Sequence, residues 1–203
     1  MTKRVAILLF PGFDLIDAGG PYEVFLTASR LDERDGLPPQ YEVVLVSPAG
    51  ADAVAFGGMT ITALSSPEDV GAVDVALVPG TIDVATALVD QSIADAVRSL
   101  VGSSPIIASV CTGAFFLADA GVLSGKSATT HWEDLEALED TAHTGAVKRG
   151  VRWVDEGSVV TSGGLTSGIH MALHLVARDY GVDHAVRTAK QLDQPWDPSG
   201  ATA

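Results

Sequence analysis

Apolar positions in this chain form two kinds of run: short unbroken blocks, and longer stretches spaced like one face of a helix. Val5 to Phe10 is unbroken and stops at Pro11-Gly12, the mark of a strand buried on both faces. A helix is predicted after Gly19-Gly20, with Pro21 in its first turn, where a missing N–H costs nothing. Val24, Phe25, Ala28 and Leu31 give that helix its apolar side. The polar stretch from Asp32 to Gln40 reads as a loop and Tyr41 to Ser47 as a second strand. Within residues 50–64, Phe56-Gly57-Gly58-Met59 predicts a hairpin turning on its glycines. Asp74 to Val78, closed by Pro79-Gly80, is a third core strand, and Pro105 to Val110 a fourth.

Helical spacing is clearest at Ile93, Ala96, Val97, Leu100 and Val101, which recur as one buried stripe. Gly113 to Ala120 reads as a short apolar helix, and His131 to Leu138 as another. Val151–Val154 and Ser158–Thr161 are predicted as short strands. A long helix from Thr166 to Tyr180 would bury Ile169, Ala172, Leu173, Val176 and Ala177, and a last helix covers Val182 to Gln191. Residues 193–203, with Pro195, Pro198 and Gly200, are expected to trail as a loose tail behind a single domain of residues 1–192.

Strands alternating with helices at this spacing imply an α/β fold, a mostly parallel sheet covered on both faces. Such sheets bind ligands beyond the carboxyl ends of their strands. That rule singles out Pro11 to Asp17, Pro79 to Thr81 and Val110 to Gly113. No internal repeat and no interdomain linker interrupts the pattern.

Composition narrows the function. The chain is 47% hydrophobic but only 6% aromatic, so small aliphatic residues must fill the core. A net charge of −14 with no basic stripe argues against a nucleic-acid partner, which would need clustered Lys and Arg. One cysteine makes no intrachain disulfide and no multi-thiolate zinc site. The apolar block after Arg4 is too short and too soon interrupted for a signal peptide, and no run approaches the roughly 20 apolar residues that cross a bilayer. A soluble, cytoplasmic protein acting on a small molecule is expected.

The candidate chemistry centres on Ile106 to Phe115, where an apolar strand stops at Cys111 and a small-residue helix begins at once. A sharp strand-to-helix turn of this kind pushes its central side chain into the cleft, as a nucleophile elbow does. Gly113 would let the turn pack closely, and the helix N-terminus would favour thiolate over thiol, lowering the Cys111 pKa. An inert buried cysteine is the competing reading, because free cysteine is often buried. Asp17, beyond the first strand, opens into the same crevice if the first and fourth strands are neighbours. There a carboxyl would be pressed toward its protonated form, hydrogen-bond the sulfur and pass a proton. Its competing role is to cap the following helix; Asp14 nearby is expected to face solvent. At Gly80 the backbone N–H groups could hold developing negative charge or simply form a β-turn.

These blocks together resemble the DJ-1/PfpI superfamily, and within it the isocyanide hydratase branch. The resemblance is carried by Leu9-Phe10-Pro11 with Asp17 and Gly20-Pro21, by Val78-Pro79-Gly80, and by Ser109-Val110-Cys111-Thr112-Gly113. Ala120 through Trp132 and Thr161 through Ile169 complete it, so that it spans residues 4 to 190. It implies a flavodoxin-like three-layer sandwich, a single domain of the class I glutamine amidotransferase type, and a homodimer. It further implies a lyase that hydrates isocyanides to N-substituted formamides with no metal or organic cofactor. Cys111 would be the nucleophile and Asp17 the proton shuttle. Thr112 and the backbone at Gly80 would steady the intermediate, and Leu165 would line the pocket. Thr112 stands where PfpI-type proteases carry histidine, which counts against peptidase activity. Thr81 stands where a second glycine is common, and His170 where related sequences often have Asp. His131 is a candidate pocket residue and a poor general base.

The alternative is a non-catalytic or redox-sensing member related to the ligand-sensing domains of AraC-type regulators. The short stretch after the last predicted helix, in so acidic a chain, makes direct DNA regulation unexpected. Two further patterns carry little. Ala120 to Ser127 resembles a phosphate loop but leaves a helix instead of opening one. His170 and His174 have metal-ligand spacing without a zinc-protease glutamate, and His143 and His184 read as surface positions.

Overall fold

The computed structural model describes residues 2–62, 64–141 and 143–200. In chain order the elements are β1 (Lys3–Leu8), α1 (Leu15–Arg34), β2 (Tyr41–Val46), β3 (Ala53–Val54), β4 (Thr60–Ile61), α2 (Pro67–Val70), β5 (Val75–Val78) and α3 (Val84–Leu88). They continue with α4 (Gln91–Ser103), β6 (Ile106–Val110), α5 (Gly113–Asp119), α6 (Leu135–Glu139), β7 (Trp153–Asp155), β8 (Val159–Ser162), α7 (Ser167–Tyr180) and α8 (Val182–Gln191).

Six strands form one sheet in the order β2-β1-β5-β6-β8-β7, parallel except for β7, which pairs antiparallel with β8. The unbroken apolar runs sit where both faces are covered: Val5 to Leu8 and Val75 to Val78 have no exposed surface. Helices α1 and α7 contact each other and α8, while α4 packs with α2, α3 and α5. The result is the expected flavodoxin-like sandwich with a mostly parallel sheet. The hairpin at Phe56–Met59 is present as β3 and β4, with Gly57 and Gly58 at φ +90° and +96°.

Three expectations are corrected. Helix α1 starts at Leu15, ahead of the two glycines, and Pro21 lies inside it. Gly20 is there for packing: a Cβ would meet the Ile169 side chain of α7 at 2.7 Å. Helix α6 begins only at Leu135, because residues 131–134 form a turn closed by the Asp134 N–H on the His131 carbonyl. The tail expected to be loose is fastened over residues 194–200. Trp196 donates its indole N–H to the His170 carbonyl at 3.1 Å, and the Gly200 carbonyl accepts the Arg152 N–H at 2.7 Å. Residues 201–203 lie outside the described residues.

The loop leaving β1 is stitched to the loop leaving β5, which fixes where α1 begins. Phe13 and Thr81 form an antiparallel bridge, and the Asp14 N–H donates to the Gly80 carbonyl at 2.8 Å. Thr81 adds its hydroxyl to the Gly12 carbonyl at 2.9 Å. Asp17, one turn into α1, is thereby placed above the carboxyl end of the sheet.

Candidate active site

Cys111 occupies the junction of β6 and α5 at φ +57°, a left-handed conformation that side chains other than glycine rarely take. Its N–H is shared between the Ser162 and Gly163 carbonyls, each at 3.2 Å, and its carbonyl accepts the Thr130 hydroxyl at 2.7 Å. Those bonds hold the elbow in place. The bend brings Gly113 so close to β5 that a Cβ there would fall 2.3 Å from the Val78 carbonyl oxygen. The packing role predicted for Gly113 is therefore met.

Strands β1 and β6 are not neighbours, because β5 runs between them. Asp17 and Cys111 still meet, and the reason is Gly80 at the end of β5. A side chain at Gly80 would fall 2.8 Å from the Asp17 carboxylate and 2.6 Å from the Thr112 hydroxyl. Without one, Asp17 reaches over the end of β5. Its Oδ2 accepts the Gly80 N–H at 3.0 Å and its Oδ1 the Leu165 N–H at 3.1 Å, and the Cys111 thiol lies close enough to act on the same carboxyl. Leu165, like Cys111, has positive φ, at +54°. Two of the four non-glycine residues in this conformation among the described residues thus belong to one site. Asp17 makes no helix cap; the N-cap of α1 is Asp14.

Burial decides the protonation states. Asp17 is fully buried, and burial lifts its pKa to about 7, with the Asp14 charge adding to the rise. The N–H groups of Gly80 and Leu165 and the nearby Cys111 thiol pull the other way. The thiol is pushed up to about 12, first by burial and then by the Asp17 charge; the Thr112 N–H opposes this. The lowered Cys111 pKa expected from the helix N-terminus alone is corrected here, because desolvation outweighs the helix end. Burial thus favours the protonated thiol, beside a carboxyl whose own pKa is raised.

The remaining predicted residues divide between scaffold and wall. Thr112 does not point its hydroxyl at the sulfur. It donates to the Thr81 carbonyl and accepts the Thr81 N–H, both at 2.8 Å, strapping the elbow to the loop after β5. With the Gly80 N–H on Asp17 and the Thr81 N–H on Thr112, neither serves as an oxyanion donor. The backbone N–H that favours negative charge on the sulfur is that of Thr112. His131, Leu165 and Thr81 line a cavity of about 330 Å³ that opens on Cys111, together with Asp14, Ile82, Glu133 and Asp134. The His131 Nδ1 lies 3.4 Å from Asp134 and 3.6 Å from Glu133. Three carboxylates and no Lys or Arg face this cavity, so it suits a neutral or cationic molecule over an anionic one.

Sequence reasoning missed Thr130, Gly164, Asp134 and Glu133. Thr130 and Gly164 lie within the blocks that carry the resemblance, yet nothing in their spacing says that one holds the Cys111 carbonyl and the other makes room beside the sulfur. His184 is not the surface residue expected: its ring is largely buried against Asp32, 3.5 Å away. His170 is also buried, under the chain end, and takes no part in the site.

A model of the DJ-1/PfpI family matches residues 3–178. The isonitrile hydratase of Pseudomonas putida is 34% identical over 194 residues, covering 95% of this chain and 79% of the relative. The HTH-type transcriptional regulator CdhR of Pseudomonas aeruginosa is 27% identical over 95% of this chain, which spans 55% of that regulator. Among solved structures, a THiJ/PfpI family protein from Pseudomonas syringae aligns with a TM-score of 0.82 at 24% identity, over 98% of this chain and 77% of that one. Drosophila melanogaster DJ-1beta aligns with a TM-score of 0.78 at 22% identity, over 96% and 100%.

Proposed function

The chain belongs to the DJ-1/PfpI family, and on that footing we propose that it is a lyase that hydrates isocyanides to N-substituted formamides, with Cys111 as nucleophile and Asp17 as the group that moves protons. The observation that carries this reading is the buried carboxyl of Asp17, held by two backbone N–H groups and set beside the Cys111 thiol. The similarity to an isonitrile hydratase supports the same substrate class.

In this mechanism the Asp17 carboxylate takes the thiol proton as the sulfur attacks the terminal isocyanide carbon. The carbon then receives that proton from Asp17, leaving a thioimidate, R–N=CH–S–Cys111. Asp17, again a carboxylate, removes a proton from water as its oxygen adds to the same carbon, and passes that proton to nitrogen. Collapse of the adduct breaks the C–S bond, and the hydroxyl proton returns to the sulfur through Asp17. One isocyanide and one water give one formamide. The Thr112 N–H steadies negative charge on the sulfur at both ends of the cycle. An uncharged substrate meets no repulsion from Asp14, Glu133 and Asp134.

The reaction is to be followed as formamide production from alkyl and aryl isocyanides. Wild-type protein should turn them over, and Cys111→Ala should lose at least about a thousandfold in kcat, as is usual for removing a nucleophile. Absence of formamide across both substrate types would overturn the reading. A second reading, a ligand-sensing domain, is favoured by the match to regulators over most of this chain; it calls for ligand binding at the same cavity without turnover. A redox sensor fits less well, since oxidation needs thiolate character and burial keeps the thiol protonated. A cytoplasmic homodimer completes the proposal.

A further inference from the structure

Behind His131 lies a second chamber, of about 400 Å³, that the mechanism above does not use. It shares two lining residues with the sulfur cavity, His131 and Leu165, so the two spaces abut along those side chains. The approach is closest at Gly164. A Cβ there would lie 3.4 Å from the Cys111 sulfur and 2.3 Å from the His131 Cδ2. The space a Cβ would need at Gly164 is filled by the His131 ring, so the imidazole and the sulfur both pack against bare backbone there, and His131 with Leu165 forms the boundary between the two spaces.

The two spaces differ in character. The sulfur cavity carries Asp14, Glu133 and Asp134, whereas no Asp, Glu, Lys or Arg lines the second chamber. Its walls are Trp132, Leu135 and Val151, and Thr166 and Ser167 add hydroxyls. Two further hydroxyls are already engaged, Thr129 on the Lys148 carbonyl and Thr130 on the Cys111 carbonyl, which fixes that side of the chamber. Trp132 is 72% exposed and lines the chamber.

We propose that this second chamber is the subsite for the N-substituent, and that it selects uncharged aromatic isocyanides bearing a hydrogen-bonding group on the ring. The inference rests on the hydratase reading for its substrate. An isocyano group is linear, so a substituent attached to it must project straight away from the attacked carbon. The sulfur cavity is lined with carboxylates, while the adjoining chamber offers apolar walls for a ring and hydroxyls for a polar group on it.

The test compares 4-(hydroxymethyl)phenyl isocyanide with methyl isocyanide in wild-type protein and in Val151→Trp, which fills the chamber. The ratio of their kcat/KM values should fall at least tenfold in the variant; an unchanged ratio overturns the subsite. Alkylation of Cys111 supplies a readout that needs no hydration. The rate with N-(4-hydroxymethylphenyl)iodoacetamide relative to iodoacetamide should fall at least tenfold too. If no isocyanide is hydrated but the alkylation ratio falls, the subsite stands and the hydratase reading fails. If both ratios hold, the subsite fails. Should Val151→Trp not fold, Ser167→Ala serves in its place. It should cut the preference for hydroxymethylphenyl over phenyl probes about three- to tenfold, the worth of one hydrogen bond, and no change would overturn the proposal.

Discussion

At the scale of single residues, the site is a contest between burial and hydrogen bonding for one proton. Asp17 is the group whose titration falls near neutrality, so alkylation of Cys111 by iodoacetamide should climb with pH through about 7. Stopped-flow or mass-spectrometric rates across pH 5–9 check this; a plateau already reached at pH 5 would indicate a resting thiolate. In Asp17→Asn the rise through pH 7 should disappear, and the rate at pH 8 should drop at least tenfold. Gly80→Ala should cost at least tenfold in activity with the fold retained, because a methyl group would sit in the space that the Asp17 carboxylate and Thr112 hydroxyl occupy. Circular dichroism beside the assay separates the two effects. The elbow is legible in the sequence, since an apolar strand running straight into Cys-Thr-Gly puts the thiol on a strand-to-helix turn. Its protonation state is not, because desolvation depends on how completely distant segments close over the sulfur.

Among the elements, the strands and long helices are legible because each is long enough to show its period. Val24, Phe25, Ala28 and Leu31 face the core as their spacing requires. What fails is punctuation. Gly19, Gly20 and Pro21 have the look of a helix start, but close contact with α7 demands a small residue at Gly20, and tertiary packing overrides the local signal. Helices α2 and α3 span four and five residues and are too short to display any period. Strand order is also beyond the reach of local patterns, and Asp17 meets Cys111 by a reach across the end of β5 instead of by adjacency of β1 and β6. The strap between α5 and the loop after β5 gives a prediction at this scale. Thr112→Val would leave the buried N–H and carbonyl of Thr81 without their partner, at a cost of about 1–3 kcal/mol. For a chain of this length that is about 2–12 °C in Tm, measurable by calorimetry.

Over the whole molecule, two buried groups with shifted titrations oppose one another. Asp17 has its pKa raised to about 7, so the folded state holds a proton that the unfolded chain gives up near pH 4. The stability it contributes is full below pH 4 and lost as pH rises to about 7. His170 is displaced the other way, to about 4, first by burial and then by the Arg152 charge. Its contribution is full above the ordinary histidine value of about 6.5 and lost as pH falls to about 4. The two slopes offset each other across the same window. Relative to wild type, Asp17→Asn should lose Tm as pH is lowered from 7 to 4, and His170→Asn should gain it. Parallel melting curves for all three proteins would contradict this assignment. Among the described residues no helix is long and apolar enough to cross a membrane.

The bare position at the end of β5 has a practical consequence for anyone reshaping this site. The separation of acid and sulfur is set by main chain passing beneath them, so it behaves as a fixed ruler that no side-chain library can lengthen. Variation aimed at new substrates belongs on the flanks, at Ile82 on one side and at Trp132 and Val151 on the other, where changes alter what enters while the ruler keeps its length.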